Sequence, residues 1–550
     1  MDYRDRFGLF KVNGDYWPAR LLHVESWTSY RREDGNTYRG HSEPAYNIIS
    51  YTWGRWEIKG QGSSLGIKGV EWTIPSVNAQ DAFSVDQFRK VIEVACEGVD
   101  FLWIDIACID QENRADKMKE ISNQASIFFK AEKVFVWLHQ WDHEKLEEQV
   151  GNMNEILSEL ESQCHMVMYS SGSDDEDMDW ETAREEIPEC LRDDEWINKA
   201  VKALKKWREE PWFTSLWTLQ EMHLSESATI LSKGATTVSL DGKIVGINHV
   251  EDWVDSLTDA VRGIYFEEPF PTGINKPKLD QILEHADILG LGQQYFQNTC
   301  TIYSAAKFRT ASQELDYVYG IMQLFDLQLG EASEPDGKFS LQDLRMQFAA
   351  ALNRRHPIFS QLFVHSKPPE HGLSWMVGEN SILPLRLHWN DLMPEAYCEI
   401  QVNEKSGIAH FRGGGCSFQS LSALLRQINE ERPSKRWQDI LLDAWDDSLE
   451  QIPEDFLNLD RAQNLRFHEL GDALSNIFGG RLKVFWLGIA TDPARTSKEL
   501  SIGILAMETS ISDRTVFRRI GLYLWPELED DSPHLDMFEK IWEQMNAEMC

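Results

Sequence analysis

Two carboxylates stand in unusual company. Asp105 interrupts the apolar run FLWIDIACI at residues 101–109, where a charged group is costly unless it is hydrogen-bonded or lies at the mouth of a cleft. Glu221 lies in PWFTSLWTLQEMHL at 211–224. At helical spacing Phe213, Leu216, Trp217 and Leu224 share one apolar stripe, with Gln220 near its centre and Glu221 at its margin. A carboxylate beside aromatic faces suits the stabilisation of positive charge on a sugar, as in glycoside hydrolysis. Plainer roles stand beside this one. Asp105 would accept backbone N–H groups of its adjoining loop, and Glu221 would pack its stem while its head reaches water. Asp110, just ahead of a helical pattern, would serve as that helix's N-cap.

These residues need elements that bring them together. The run YNIISYTW at 46–53, the run at 101–109 and Val134 to Leu138 read as buried strands, the middle one extending to Ile109. Helical patterns lie between them, around Phe83 to Ala95 and from about Asn113 to Ala131. Apolar strands alternating with helices predict an α/β fold, a parallel sheet flanked by helices. Ligands of such sheets bind beyond the carboxyl ends of the strands. That rule collects Tyr51, Thr52, Trp53, Gly54 and Arg55, then Asp105, Cys108, Asp110 and Gln111, then His139 and Trp141, on one rim. A helix from about Trp212 to Leu224 brings Glu221 to the same place.

The pattern ends near residue 265, where Pro269, Pro271 and Pro277 suggest a linker. The expected organisation is therefore a domain at 1–265 and a mixed, mainly helical α+β region at 266–550. In the latter, helices are expected near 278–297, 341–355, 436–450 and 533–547, with strands at 398–402, 482–489 and 516–525. His139 and His143 are four apart with Asp142 between them, but they follow a strand, and no metal is expected there. The run Gly413-Gly414-Gly415-Cys416 reads as a turn before a helix. No GxxxxGK[ST] motif occurs.

Composition bounds the function. The formal charge is −36, which argues against a protein that tracks a nucleic-acid backbone or an anionic membrane. From Asp142 to Glu195 there are 19 acidic and 3 basic residues, a net of −16. This segment reads as a solvated surface insertion, placed to gate the rim. The 8 cysteines form no CxxC pair, and reduced thiols in a cytoplasmic protein without a membrane span are expected.

Three blocks carry a resemblance: YNIISYTWG at 46–54, LWIDIACIDQENRADKMKEISNQASIFFKAEKVFVWL at 102–138 and PWFTSLWTLQE at 211–221. In order and spacing they resemble the fungal heterokaryon-incompatibility (HET) domain, over about residues 17–235. FRTASQELDYVYGIMQLF at 308–325 and GLSWMVG at 372–378 look like segments that often follow it. The family commonly has arginine where Ser215 stands and asparagine where Asp110 stands. The resemblance implies self/non-self recognition, with programmed cell death when incompatible cells fuse, under the control of a partner or regulator protein.

A second likeness, of ISY, VFVWL and TSLWTLQE, is to the Toll/interleukin-1-receptor (TIR) pattern with its S-x-W-C-x-x-E helix. Ser215, Trp217 and Glu221 match, and Thr218 stands where the pattern has cysteine. Some TIR domains hydrolyse NAD with that glutamate. The likeness implies a TIR/flavodoxin-like sheet and a possible NAD glycohydrolase: Glu221 essential, Asp105 shaping the site, NAD the substrate and no cofactor required. Tyr51, Trp53 or Trp141 would stack on nicotinamide or adenine. Arg55, or the helix N-terminus after Asp110 and Gln111, would hold the diphosphate, with Trp217 beside it. The alternative is a module without chemistry that triggers death by assembling with copies of itself or with a partner.

Overall fold

The computed structural model describes residues 16–52, 64–74, 76–77, 83–163, 187–225, 227–265, 271–291, 299–384, 393–431, 439–444, 467–491, 499–511, 514–528 and 532–550. Trp53, Arg55 and residues 164–186 of the acidic insertion lie outside them. The chain divides into two compact units, one of residues 8–294 and 308–337, the other centred on 338–550 with 295–307.

In the first unit every residue of Tyr46–Ser50 is buried, as its β-branched, apolar content requires of a strand covered on both faces. Naming the main strands in chain order gives β1 (Arg20–His23), β2 (Thr28–Arg31), β3 (Tyr46–Ser50), β4 (Phe101–Trp103), β5 (Val134–Trp137) and β6 (Thr229–Leu231). Their order in the sheet is β2-β1-β4-β3-β5-β6. The last four are parallel. The expectation of a parallel sheet therefore needs correcting: β1 and β2 form an antiparallel hairpin, and β1 pairs antiparallel with β4. The sheet is mixed because the turn ending at Trp27, with φ of 51°, is too short for a crossover and returns the chain beside itself.

Helix α1 (Val85–Ala95) covers one face of this sheet. It starts at a capping box made by Ser84 and Gln87 and buries Phe88, Val91, Ile92 and Ala95. Phe88 stacks on Trp137 of β5 with ring centroids 5.3 Å apart.

Three further expectations are corrected locally. Strand β4 stops at Trp103, and Asp105–Cys108 is a single helical turn, α2. The helix expected from Asn113 to Ala131 is two, α3 (Arg114–Ile121) and α4 (Gln124–Lys130). Ser122 and Asn123 break it by donating their side chains to the Lys119 carbonyl. The segment 211–224 is a 3₁₀ turn, Pro211–Thr214, followed by a helix, Leu216–His223.

The second unit is organised by strands rather than mainly by helices. Its sheet runs Met393–Ala396, Leu482–Thr491, Glu499–Ile511, Arg514–Pro526, Glu543–Met549, Ile408–Ser417 and Glu399–Asn403, and Asp439–Leu442 pairs with Arg514–Pro526. Helices were expected over 436–450 and 533–547. Instead 439–442 is a strand, and a helix at Leu535–Ile541 gives way to the strand Glu543–Met549. Both segments carry an apolar content that either period accommodates, and pairing with a long neighbour decides it. Behind the sheet, the buried Arg519 guanidinium grips both carboxylate oxygens of Asp443 at 2.7 Å. No described helix is long and apolar enough to cross a membrane.

Candidate active site at the carboxyl ends of the parallel strands

Ser50 ends β3, and its hydroxyl donates to Glu221 Oε2 at 2.5 Å. The Ser50 Oγ in turn accepts the indole N–H of Trp212 at 2.7 Å. Its single proton is thus directed at the carboxylate by the bond it receives. Gln124, the first residue of α4, donates to Glu221 Oε1 at 3.4 Å, and Gln220 donates to Gln124 Oε1 at 2.7 Å. Four elements therefore aim one carboxyl group: β3, α4, the 3₁₀ turn and the Leu216–His223 helix.

Glu221 keeps partial exposure, yet burial pushes its carboxyl up from 4.5 to about 8, against the opposing bonds from Ser50 and Gln124. The Asp105 carboxylate adds to the rise. Asp105 also keeps partial exposure and is raised by burial from 3.8 to about 7. Opposing that rise are the Ile106 N–H, 2.8 Å from Oδ1, the Tyr51 hydroxyl and the charge of Lys117. Asp105 thus does accept a backbone N–H, as one of its sequence readings required, and it also stands beside the second acid.

The other expected site residues are placed as follows. Tyr51 is 7% exposed, packs its ring on Phe88 and leans its hydroxyl toward Asp105. Gln111 donates to the Asp105 carbonyl at 3.5 Å. Trp217 donates to Asp316 at 3.3 Å. Asp110 is not the N-cap of α3. Its Oδ1 accepts Glu112 N and Asn113 N, each at 3.0 Å, and Asn113 is the cap. His139 and Trp141 are buried. His139 lies 3.6 Å from the buried Glu210, and Trp141 packs edge-on against Trp207. Trp53 and Arg55 fall outside the described residues.

Sequence reading missed Ser50, Gln124, Trp212 and Lys117. The available signal was a serine at the end of a wholly buried strand and two glutamines, 124 and 220, on otherwise apolar faces. Two buried polar atoms, Thr52 Oγ1 and Gln220 Oε1, have no hydrogen-bond partner among the described residues. Such groups are normally satisfied by protein, water or a ligand.

The geometry coincides with a family boundary. Residues 46–221, from the first residue of β3 to Glu221 itself, match the model of the heterokaryon incompatibility protein (HET) family. The chain carries a HET domain. It is also 25% identical over 179 residues to "Heterokaryon incompatibility protein 6, OR allele" of Neurospora crassa. That alignment covers 30% of this chain and 23% of the relative. No solved structure matches the chain. The side chains that bond the Glu221 carboxyl, Ser50 and Gln124, lie inside the matched HET segment.

Proposed function

We propose that the chain is an effector of heterokaryon incompatibility whose HET domain hydrolyses NAD, with Glu221 facing the ribose. The observation that carries this reading is the pair of crowded carboxyls, Glu221 and Asp105, at the carboxyl ends of β3 and β4. In sequence order the parallel strands β3, β4, β5 and β6 run 2-1-3-4 across the sheet. That is the order of flavodoxin-like folds, whose ligands bind where the order reverses. Here the reversal lies between β3 and β5, where Ser50 meets Glu221.

The chemistry fits a sparse site. Nicotinamide leaves from C1′ of its ribose as a neutral base, taking the electrons of the C–N bond, so no general acid is needed. Water then adds to C1′ and loses a proton, giving ADP-ribose. An ionised Glu221 would bind the ribose hydroxyls and stabilise the oxocarbenium-like transition state. The substrate's cationic nicotinamide would itself favour that ionisation. Lys117, close enough to act on Asp105, would offer charge to the diphosphate. On this reading the chain works in the cytoplasm, without a bound cofactor, restrained by an incompatibility partner or released by self-assembly.

The test is nicotinamide release by the purified full-length chain. Glu221→Gln should lower it by about a hundredfold or more with the fold intact. Full turnover by folded Glu221→Ala would remove the assignment. A second reading, death signalling by assembly alone, is favoured by one observation: with its carboxyl raised to about 8, Glu221 is largely neutral at pH 7 in the unliganded protein. Killing by the chain while cellular NAD stays constant would select it.

A further inference from the structure

The helix that carries Glu221 has only eight residues, Leu216–His223, too few to hold itself. Its N-cap residue, Ser215, makes no side-chain capping bond. A distant segment supplies what is missing. Leu216 N donates to the Thr310 carbonyl at 3.0 Å, and Thr310 N donates to the Thr214 carbonyl at 2.8 Å. These bonds form a parallel bridge between Ser215 and Thr310.

Beside this bridge lies Arg309, 1% exposed. Its Nη1 donates to the Ser215 carbonyl at 3.1 Å, the Trp212 carbonyl at 3.4 Å and Thr218 Oγ1 at 3.3 Å. Its Nη2 donates to the carbonyl of Leu289, the last residue of the helix Lys276–Leu289. Thr218 in turn donates to the Trp212 and Ser215 carbonyls. A guanidinium fully removed from water here meets carbonyls and a hydroxyl, and burial lowers it to about 9. Its charge also reaches His223, held down to about 3 by burial first and Arg309 second.

We propose that Arg309 is a positioning residue for Glu221, fixing the break between the 3₁₀ turn and the Leu216–His223 helix so that Trp212, Ser50 and the Glu221 carboxyl meet. Arginine suits this place because its planar fork reaches several carbonyls at once, which a lysine ammonium does not. The same stretch closes around the helix further on. Tyr317 donates to the Arg309 carbonyl at 3.1 Å, Asp316 receives Trp217, and a Cβ at Gly320 would lie 3.1 Å from Leu216. The HET match ends at residue 221, so this brace lies well beyond it. The inference uses Glu221 as the working carboxylate of the proposed reaction, but the position of that carboxylate is measurable without substrate.

The experiment compares the full-length wild type with Arg309→Lys and Arg309→Met. Carbon-13 NMR of labelled glutamate follows the titration of Glu221, with Glu221→Gln identifying the resonance and thermal melts reporting folding. A loosened helix should let water reach the carboxyl, so the midpoint should fall by about one pH unit or more in Arg309→Met and less in Arg309→Lys. Nicotinamide release should fall by about tenfold or more at saturating NAD, with KM changed much less. If Arg309→Met does not fold, Arg309→Lys alone decides. A folded variant of either kind with the wild-type midpoint overturns the positioning role, whatever its activity. A shifted midpoint in a chain that never consumes NAD would instead support positioning and remove the NAD reading.

Discussion

Glu120 and Glu221 are both crowded acids at the ends of short helices in the first unit, and the structure treats them differently. Glu120 is 2% exposed and fully engaged: it accepts the Tyr16 hydroxyl at 2.7 Å, Ala19 N at 3.0 Å and the Trp103 indole at 3.5 Å. Burial raises it from 4.5 to about 7, and its named partners all act to lower it. Glu221 rises further, to about 8, with a second acid adding to the rise and with solvent still in reach. An acid whose every neighbour answers it is a structural tie. One left beside a like charge at an open edge retains capacity for a ligand, because a cation placed between the two carboxyls would relieve both.

The comparison breaks most sharply on substitution. Glu120→Ala strands Ala19 N–H and the Tyr16 hydroxyl, and should destabilise the first unit by roughly 3 kcal/mol, seen as a lower urea midpoint, while folded molecules keep full NAD turnover. Glu221→Gln should do the converse, losing turnover while melting no lower than wild type. Equal losses of turnover per folded molecule in the two variants would erase the distinction.

Asp105→Asn sharpens it next. With the like charge gone, Glu221 should ionise more readily, and the rising limb of kcat/KM against pH should move down by about one unit. In the wild type that limb should rise through about 8, the Glu221 value. A flat profile between pH 6 and about 9 would contradict an ionised Glu221.

A smaller effect concerns stability. Asp105 and Glu221 hold protons in the folded state that the unfolded chain releases above its ordinary carboxylate range. The native state therefore binds more protons between about pH 5 and 8, and stability must fall as pH rises across that window. Glu221→Gln should flatten the fall, measured as melting temperature against pH, and melt above wild type at about pH 8. Smallest is Gln124→Leu, which removes one opposing hydrogen bond and should raise the Glu221 midpoint by about half a unit.

Strands β3 and β5 were legible as short continuous apolar runs, and helix α1 by its 3.6-residue apolar period. The antiparallel hairpin was not, since RLLH and TSYR carry too few apolar residues to announce strands. Asp105 and Glu221 were found from polarity out of place, a signal that survives without knowing exact boundaries. Their neighbours Ser50 and Gln124 were missed because a small hydroxyl or amide within an apolar element looks no different from one that simply satisfies its own backbone. Arg309 could not be assigned a role from sequence, as its partners are carbonyls, which every residue possesses.

The bridge between Ser215 and Thr310 bears on how such a chain can be recombined. A crossover anywhere between residues 222 and 308 would join one parent's Glu221 helix to another parent's brace, although each inherited block would be intact. Chimeras built to map specificity should therefore exchange 46–221 together with 309–320, treating the two stretches as a single heritable part.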